Sequence, residues 1–94
     1  MSLDEIRNQK ALALLEFKEA EDNVARLEKQ KASLVSQVHA FGVAIRELPD
    51  IPGEDFIRNH QHLTAESAAA LLRELQAARK QLGDATAKKD QFGL

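Results

Sequence analysis

Residues 3–48 read LDEIRNQKALALLEFKEAEDNVARLEKQKASLVSQVHAFGVAIREL. Stepping along them by three and four residues in turn picks out Leu3, Ile6, Lys10, Ala13, Phe17, Ala20, Val24, Leu27, Lys31, Leu34, Val38, Phe41, Ile45 and Leu48. Twelve of these fourteen positions are apolar, against ten of the other thirty-two in the stretch. Apolar residues recurring about every 3.5 residues make a heptad seam, with Leu3 at a and Ile6 at d. A seam of this length needs a second helix to cover it. At a rise of about 1.5 Å per residue, the helix it predicts over 3–48 is roughly 70 Å long. Gly42 weakens its last turns and is the natural place for a kink. Pro49 disfavours helical geometry in the residue before it and sets the expected stop near Leu48.

Outward from the seam, the run Ala11-Leu12-Ala13-Leu14-Leu15 is apolar nearly all the way round. Only Ala13 belongs to the seam; Leu14 lies beside it at e, and Leu12 and Leu15 lie at c and f. One partner helix cannot bury all of these, which marks a second contact surface. Residues 18–40 return to a clean amphipathic pattern, with Asp22 and Arg26 spaced for an i,i+4 ion pair.

Residues 49–63, PDIPGEDFIRNHQHL, form the connector. Two prolines and a glycine punctuate its first half, and Gly53 to Asn59 is spaced for a single helical turn. Phe56 and Ile57 are expected to cap the core there. Thr64 then has the chemistry of an N-cap, with Glu66 in the first turn. A second seam follows at Ala68, Leu71, Leu75, Ala78, Leu82, Ala85, Lys89 and Phe92, which predicts a helix over 64–90. Its alanines allow close backbone approach; Gly83 inside it costs about 1 kcal/mol relative to Ala.

The expected fold is therefore all-α: one domain over 1–94, an antiparallel helical hairpin of coiled-coil type. If the chain folds back near Phe56, Leu71 faces Phe41, Leu75 faces Val38 and Ala78 faces Leu34. The second helix then runs out near residue 20, and roughly fifteen to twenty residues of the first helix overhang. An uncovered seam with an apolar flank implies self-association. A parallel dimer would set Lys10 on Lys10 and Lys31 on Lys31. An antiparallel one sets Ile6 on Val24, Lys10 on Ala20 and Ala13 on Phe17, with Arg7 near Glu21 and Leu14 near its own symmetry mate. The expected self-contact is Ile6, Ala13, Leu14, Phe17, Ala20 and Val24, in a homodimer with a partial four-helix bundle at its centre.

Composition bounds the function. The ninety-four residues hold no Cys, Trp or Tyr, so a disulfide framework, a thiolate nucleophile and a Cys zinc site are excluded. The net charge of −2 is spread evenly: residues 1–48 carry seven basic and eight acidic side chains, and residues 64–94 carry five and four. No block has the one-sided field that draws nucleic acid. No apolar run approaches the roughly 20 residues of a membrane span, and the N-terminus lacks the pattern of a signal peptide, so a cytoplasmic protein without membrane contact is expected.

Chemical motifs are few. His60 and His62 are spaced as a ligand pair on a loop, but no third ligand follows at a recognisable distance, and no metal or other cofactor is expected. Ser33, Ser36 and Ser67 have no His-and-acid arrangement beside them, and no glycine-rich phosphate loop exists. No enzyme is expected. Arg73, Arg79, Lys80, Lys88 and Lys89 make the second helix slightly basic, which keeps a nucleic-acid-associated factor as the alternative. The hairpin outline resembles small bacterial and phage adaptors, chaperones and inhibitors, and it assigns no residue a role. The reading that fits best is a protein–protein interaction module, such as a small regulator, inhibitor or assembly adaptor. It would bind an unidentified protein through the connector residues Glu54, Arg58, His60 and His62, with Leu12 and Leu15 as a further surface.

Overall fold

The computed structural model describes residues 2–47 and 53–94. Met1 and residues 48–52 lie outside them, and so do the helix stop expected before Pro49 and the connector's polar residue Asp50. Three helices follow in order: α1 (Leu3–Glu47), α2 (Glu54–His60) and α3 (Ala65–Gln91). Helices α1 and α3 pack side by side, and the molecule is an all-α helical hairpin 72 Å long and 17 Å across.

The local chemistry explains each element. Asp4 and Glu5 sit in the first turn of α1 and Arg46 in its last, each opposite in sign to the helix-dipole end it occupies. α1 passes through Gly42 without interruption, so the glycine lowers helix propensity but does not end the helix. Thr64 caps α3: its Oγ1 accepts the Ser67 backbone N–H at 3.0 Å. Glu66 occupies the first turn of α3 and Lys88 and Lys89 the last. Phe92 closes α3, its N–H donating back to the Lys89 carbonyl at 3.1 Å, and Gly93 beyond it takes φ 71°, the left-handed turn that glycine adopts at least cost.

The core is narrow because only two helices contribute to it. Val24 and Leu27 of α1 meet Leu75 and Ala78 of α3, flanked by Leu71 and Leu82. Leu27 and Leu75 are each 1% exposed. No polar or charged side chain is buried among the described residues.

The register differs from the expected one by about a heptad. Leu75 and Ala78 share one buried cluster with Val24 and Leu27, and Val38 is left outside it, half-exposed. The cross-helix contacts agree on this. Arg79 Nη2 reaches Glu28 Oε1 at 3.5 Å, Lys88 Nζ reaches Glu16 Oε2 at 3.0 Å, and Lys89 Nζ sits 4.2 Å from the centre of the Phe17 ring. The cause lies in α2. Phe56 and His60 both stack on Phe41, so α2 already runs back alongside α1 and belongs to the returning arm. With those residues added to it, the returning arm reaches further down α1 than a hairpin turning at Phe56 would allow.

Two consequences follow. The overhang shrinks: Ala13 is fully buried and Phe17 is covered by Lys89, so the uncovered part of α1 is about its first ten residues. At the other end α3 starts too late to cover the upper seam, and Val38 and Ile45 are left half-exposed.

Candidate protein-binding tip

The residues that build the tip are Phe41, Phe56 and His60. On a helix, residues four apart share a face, so Phe56 and His60 project together from α2. Their ring centroids are 4.5 Å apart, and Phe41 of α1 completes the cluster at 5.0 Å from His60 and 5.8 Å from Phe56. All three rings are tilted to one another by 32–42°, and their centroid distances lie within the range usual for aromatic pairs. His60 Nδ1–H donates to the Phe56 carbonyl at 2.7 Å. Since a carbonyl can only accept, this contact sets the proton on Nδ1.

The segment between α2 and α3 is tied down by short bonds. Leu63 N–H donates to the His60 carbonyl and Thr64 N–H to the His62 carbonyl, both at 3.0 Å. His62 Nε2–H donates to Gln37 Oε1 of α1 at 2.6 Å, and Gln37 Nε2–H donates onward to Ser33 Oγ at 3.0 Å. His62 is thus a clasp between the returning arm and α1.

The connector histidines therefore face inward or across, and the outward face of α2 belongs to other residues. Ile57 was expected to cap the core with Phe56. It lies one residue round the helix from Phe56 and is 56% exposed. Glu54, Arg58 and Gln61 ring it. Arg58 Nη1 approaches Asp55 Oδ1 at 3.9 Å, with 68% and 94% of the two side chains exposed, a contact too solvated to hold either in place. Of the proposed connector residues, the structure brings Glu54 and Arg58 to one patch, places His60 beneath it, and sets His62 to the side. The i,i+4 spacing sets Phe56 and His60 on one face of α2, and the contact of that face with Phe41 turns Ile57 away from it.

At the far end, Leu12, Leu14 and Leu15 are 50%, 44% and 53% exposed. Of the residues expected in a self-contact, Ala13 and Val24 are buried within the hairpin itself, Ala20 and Ile6 are half-buried, and Phe17 lies under Lys89. A closed hairpin leaves Ala13 and Val24 no surface to offer a second copy. No group of three or more metal-ligating side chains occurs among the described residues, and no described helix is long and apolar enough to cross a membrane.

Compared with protein families, with curated proteins and with solved structures, the chain gives no match.

Proposed function

We propose that this chain is a non-enzymatic protein–protein interaction module, a small regulator, inhibitor or assembly adaptor, and that the outer face of α2 is the surface it offers. The observation that carries the reading is Ile57, a large apolar side chain more than half exposed and ringed by Glu54, Arg58 and Gln61. An apolar centre with a polar rim is the usual anatomy of a protein-binding patch. The stacked Phe41, Phe56 and His60 rings stand behind it and fix its geometry, which reduces the ordering cost of binding.

The alternative, a nucleic-acid-associated factor using the basic side of α3, draws less support. Of its five cations, Arg79 and Lys88 lie beside Glu28 and Glu16 and Lys89 over the Phe17 ring, which leaves Arg73 and Lys80 without an ion pair among the described residues.

The test is affinity isolation from the source cell with wild-type protein and with Ile57→Asp. A partner retained by the wild type and lost by the variant, at unchanged melting temperature, supports the tip. Equal retention by the variant moves the site to the helix faces, where Leu12 and Leu15 are next. Retained nucleic acid that salt removes would favour the alternative, because phosphate contacts release counterions.

A further inference from the structure

The apolar segment near the start of α1 is distant from the tip and is not used by it. Arg7, Leu14 and Glu21 are spaced by seven residues along α1. Seven residues is close to two helical turns, so the three lie in one stripe, drifting by only about 20° per heptad. α3 covers the neighbouring face, where Ala13 and Val24 are buried, and meets the stripe beyond Glu21, where Arg79 pairs with Glu28. Leu14 is 44% exposed at the centre of the stripe, and Leu3 is 72% exposed near its start. Of the neighbouring charges, Glu16 pairs with Lys88, Glu28 with Arg79 and Lys18 with Asp22, while Asp4, Glu5, Lys10 and Glu19 have no ion pair among the described residues. Arg7 and Glu21 are exposed and have no ion-pair partner among the described residues.

The stripe is complementary to itself when reversed. Its centre is apolar, a cation lies two turns before the centre and an anion two turns after it. We propose that a second copy of the chain packs antiparallel against this stripe, with the two-fold axis at Leu14 and Arg7 of each copy facing Glu21 of the other. Leu3 then faces Ala25 of the second copy, since each lies eleven residues from the axis. The contact spans about 33 Å from Leu3 to Ala25. Lys10 and Lys18 fall at the same height but on opposite edges, so they do not meet. A parallel pairing would instead set Arg7 on Arg7 and Glu21 on Glu21. This contact differs from the seam dimer expected from sequence: it leaves both hairpins closed and uses the e stripe beside the seam. It is isologous, so it closes at two copies.

The experiment is sedimentation equilibrium on the full chain at micromolar concentration, with melting followed by circular dichroism. The wild type is expected to be a dimer. Arg7→Glu and Glu21→Arg each place two like-charge contacts in the interface, one at each end, and each should raise the self-dissociation constant about tenfold at low salt. The double variant Arg7→Glu/Glu21→Arg restores both pairs with reversed sign and should return to near wild-type affinity. Leu14→Asp should give a monomer that melts as a hairpin. A monomeric wild type overturns the proposal. So does a double variant no tighter than the singles, or a Leu14→Asp protein that keeps its dimer mass. Ile57→Asp should leave the dimer intact, so failure at the tip and failure at this stripe are read separately.

Discussion

Leu75 meets Leu27 in the middle of the hairpin, and each is 1% exposed. A two-helix core has no second layer of side chains to fill a hole, although its neighbours Leu71 and Leu82 can lean inward. Leu75→Ala should therefore cost about 2–3 kcal/mol, toward the low end for a buried leucine. Urea denaturation measures it; a loss below about half a kcal/mol would mean that the register places another residue at the centre. The Thr64 cap is a second residue-scale case. Its hydroxyl oxygen accepts the Ser67 N–H and its own proton goes to Ser67 Oγ at 2.9 Å. Thr64→Ala should destabilise by about 1 kcal/mol, and Thr64→Ser by much less. This cap was legible in the sequence, because the chemistry of an N-cap is local. Ile57 was not, because both Phe56 and Ile57 are apolar and only contact with Phe41 separates them.

At the scale of elements, α1 and α3 each carry a glycine where helix propensity argues against one. Gly42 and Gly83 lie inside continuous helices, and a Cβ at either would meet nothing within 4 Å. Gly83→Ala should therefore stabilise the hairpin by about 0.5–1 kcal/mol, seen as a higher melting temperature. Gly42→Ala should act in the same direction. A destabilised Gly83→Ala protein would show that a second chain approaches α3 at that point more closely than a methyl group allows. The ion pairs between the helices contribute less. Lys88 and Glu16 are 44% and 41% exposed, and Arg79 and Glu28 are more exposed still, so water screens both pairs. Their effect is on register: a slip of one heptad would break both pairs and lift Lys89 off Phe17.

For the whole molecule, stability should be concentrated between Ala13 and Phe41 on α1 and between Phe56 and Lys89 on the returning arm. All the contacts between the two arms described above fall within those limits. Removing residues 2–9 should change the melting temperature of the hairpin little, by the equivalent of about 1 kcal/mol at most. The same truncation removes Leu3 and Arg7 and should weaken self-association sharply. Hydrogen exchange would show the matching profile, fastest in the first turns of α1 and slowest around Leu27 and Leu75. Slow exchange throughout residues 3–10 of a monomeric sample would contradict this distribution, because an isolated helix end in water is not protected.

The sequence by itself determined the class of fold and the cap on the second long helix, because each is set by local pattern. Heptad periodicity chooses helix and names the buried face, and Thr64 with Glu66 marks a helix start. Tertiary structure alone decided the register. A heptad seam repeats every seven residues, so a slide by one heptad still sets seam on seam, and the pattern leaves little to choose between the two registers. The choice fell to α2, whose Phe56 and His60 stack on Phe41 and so add the connector's helix to the returning arm. That choice covered Ala13 and Val24, left Val38 and Ile45 half-exposed, and turned Ile57 outward at the tip. Contacts between residues far apart in the chain set all of these, and no local pattern encodes them.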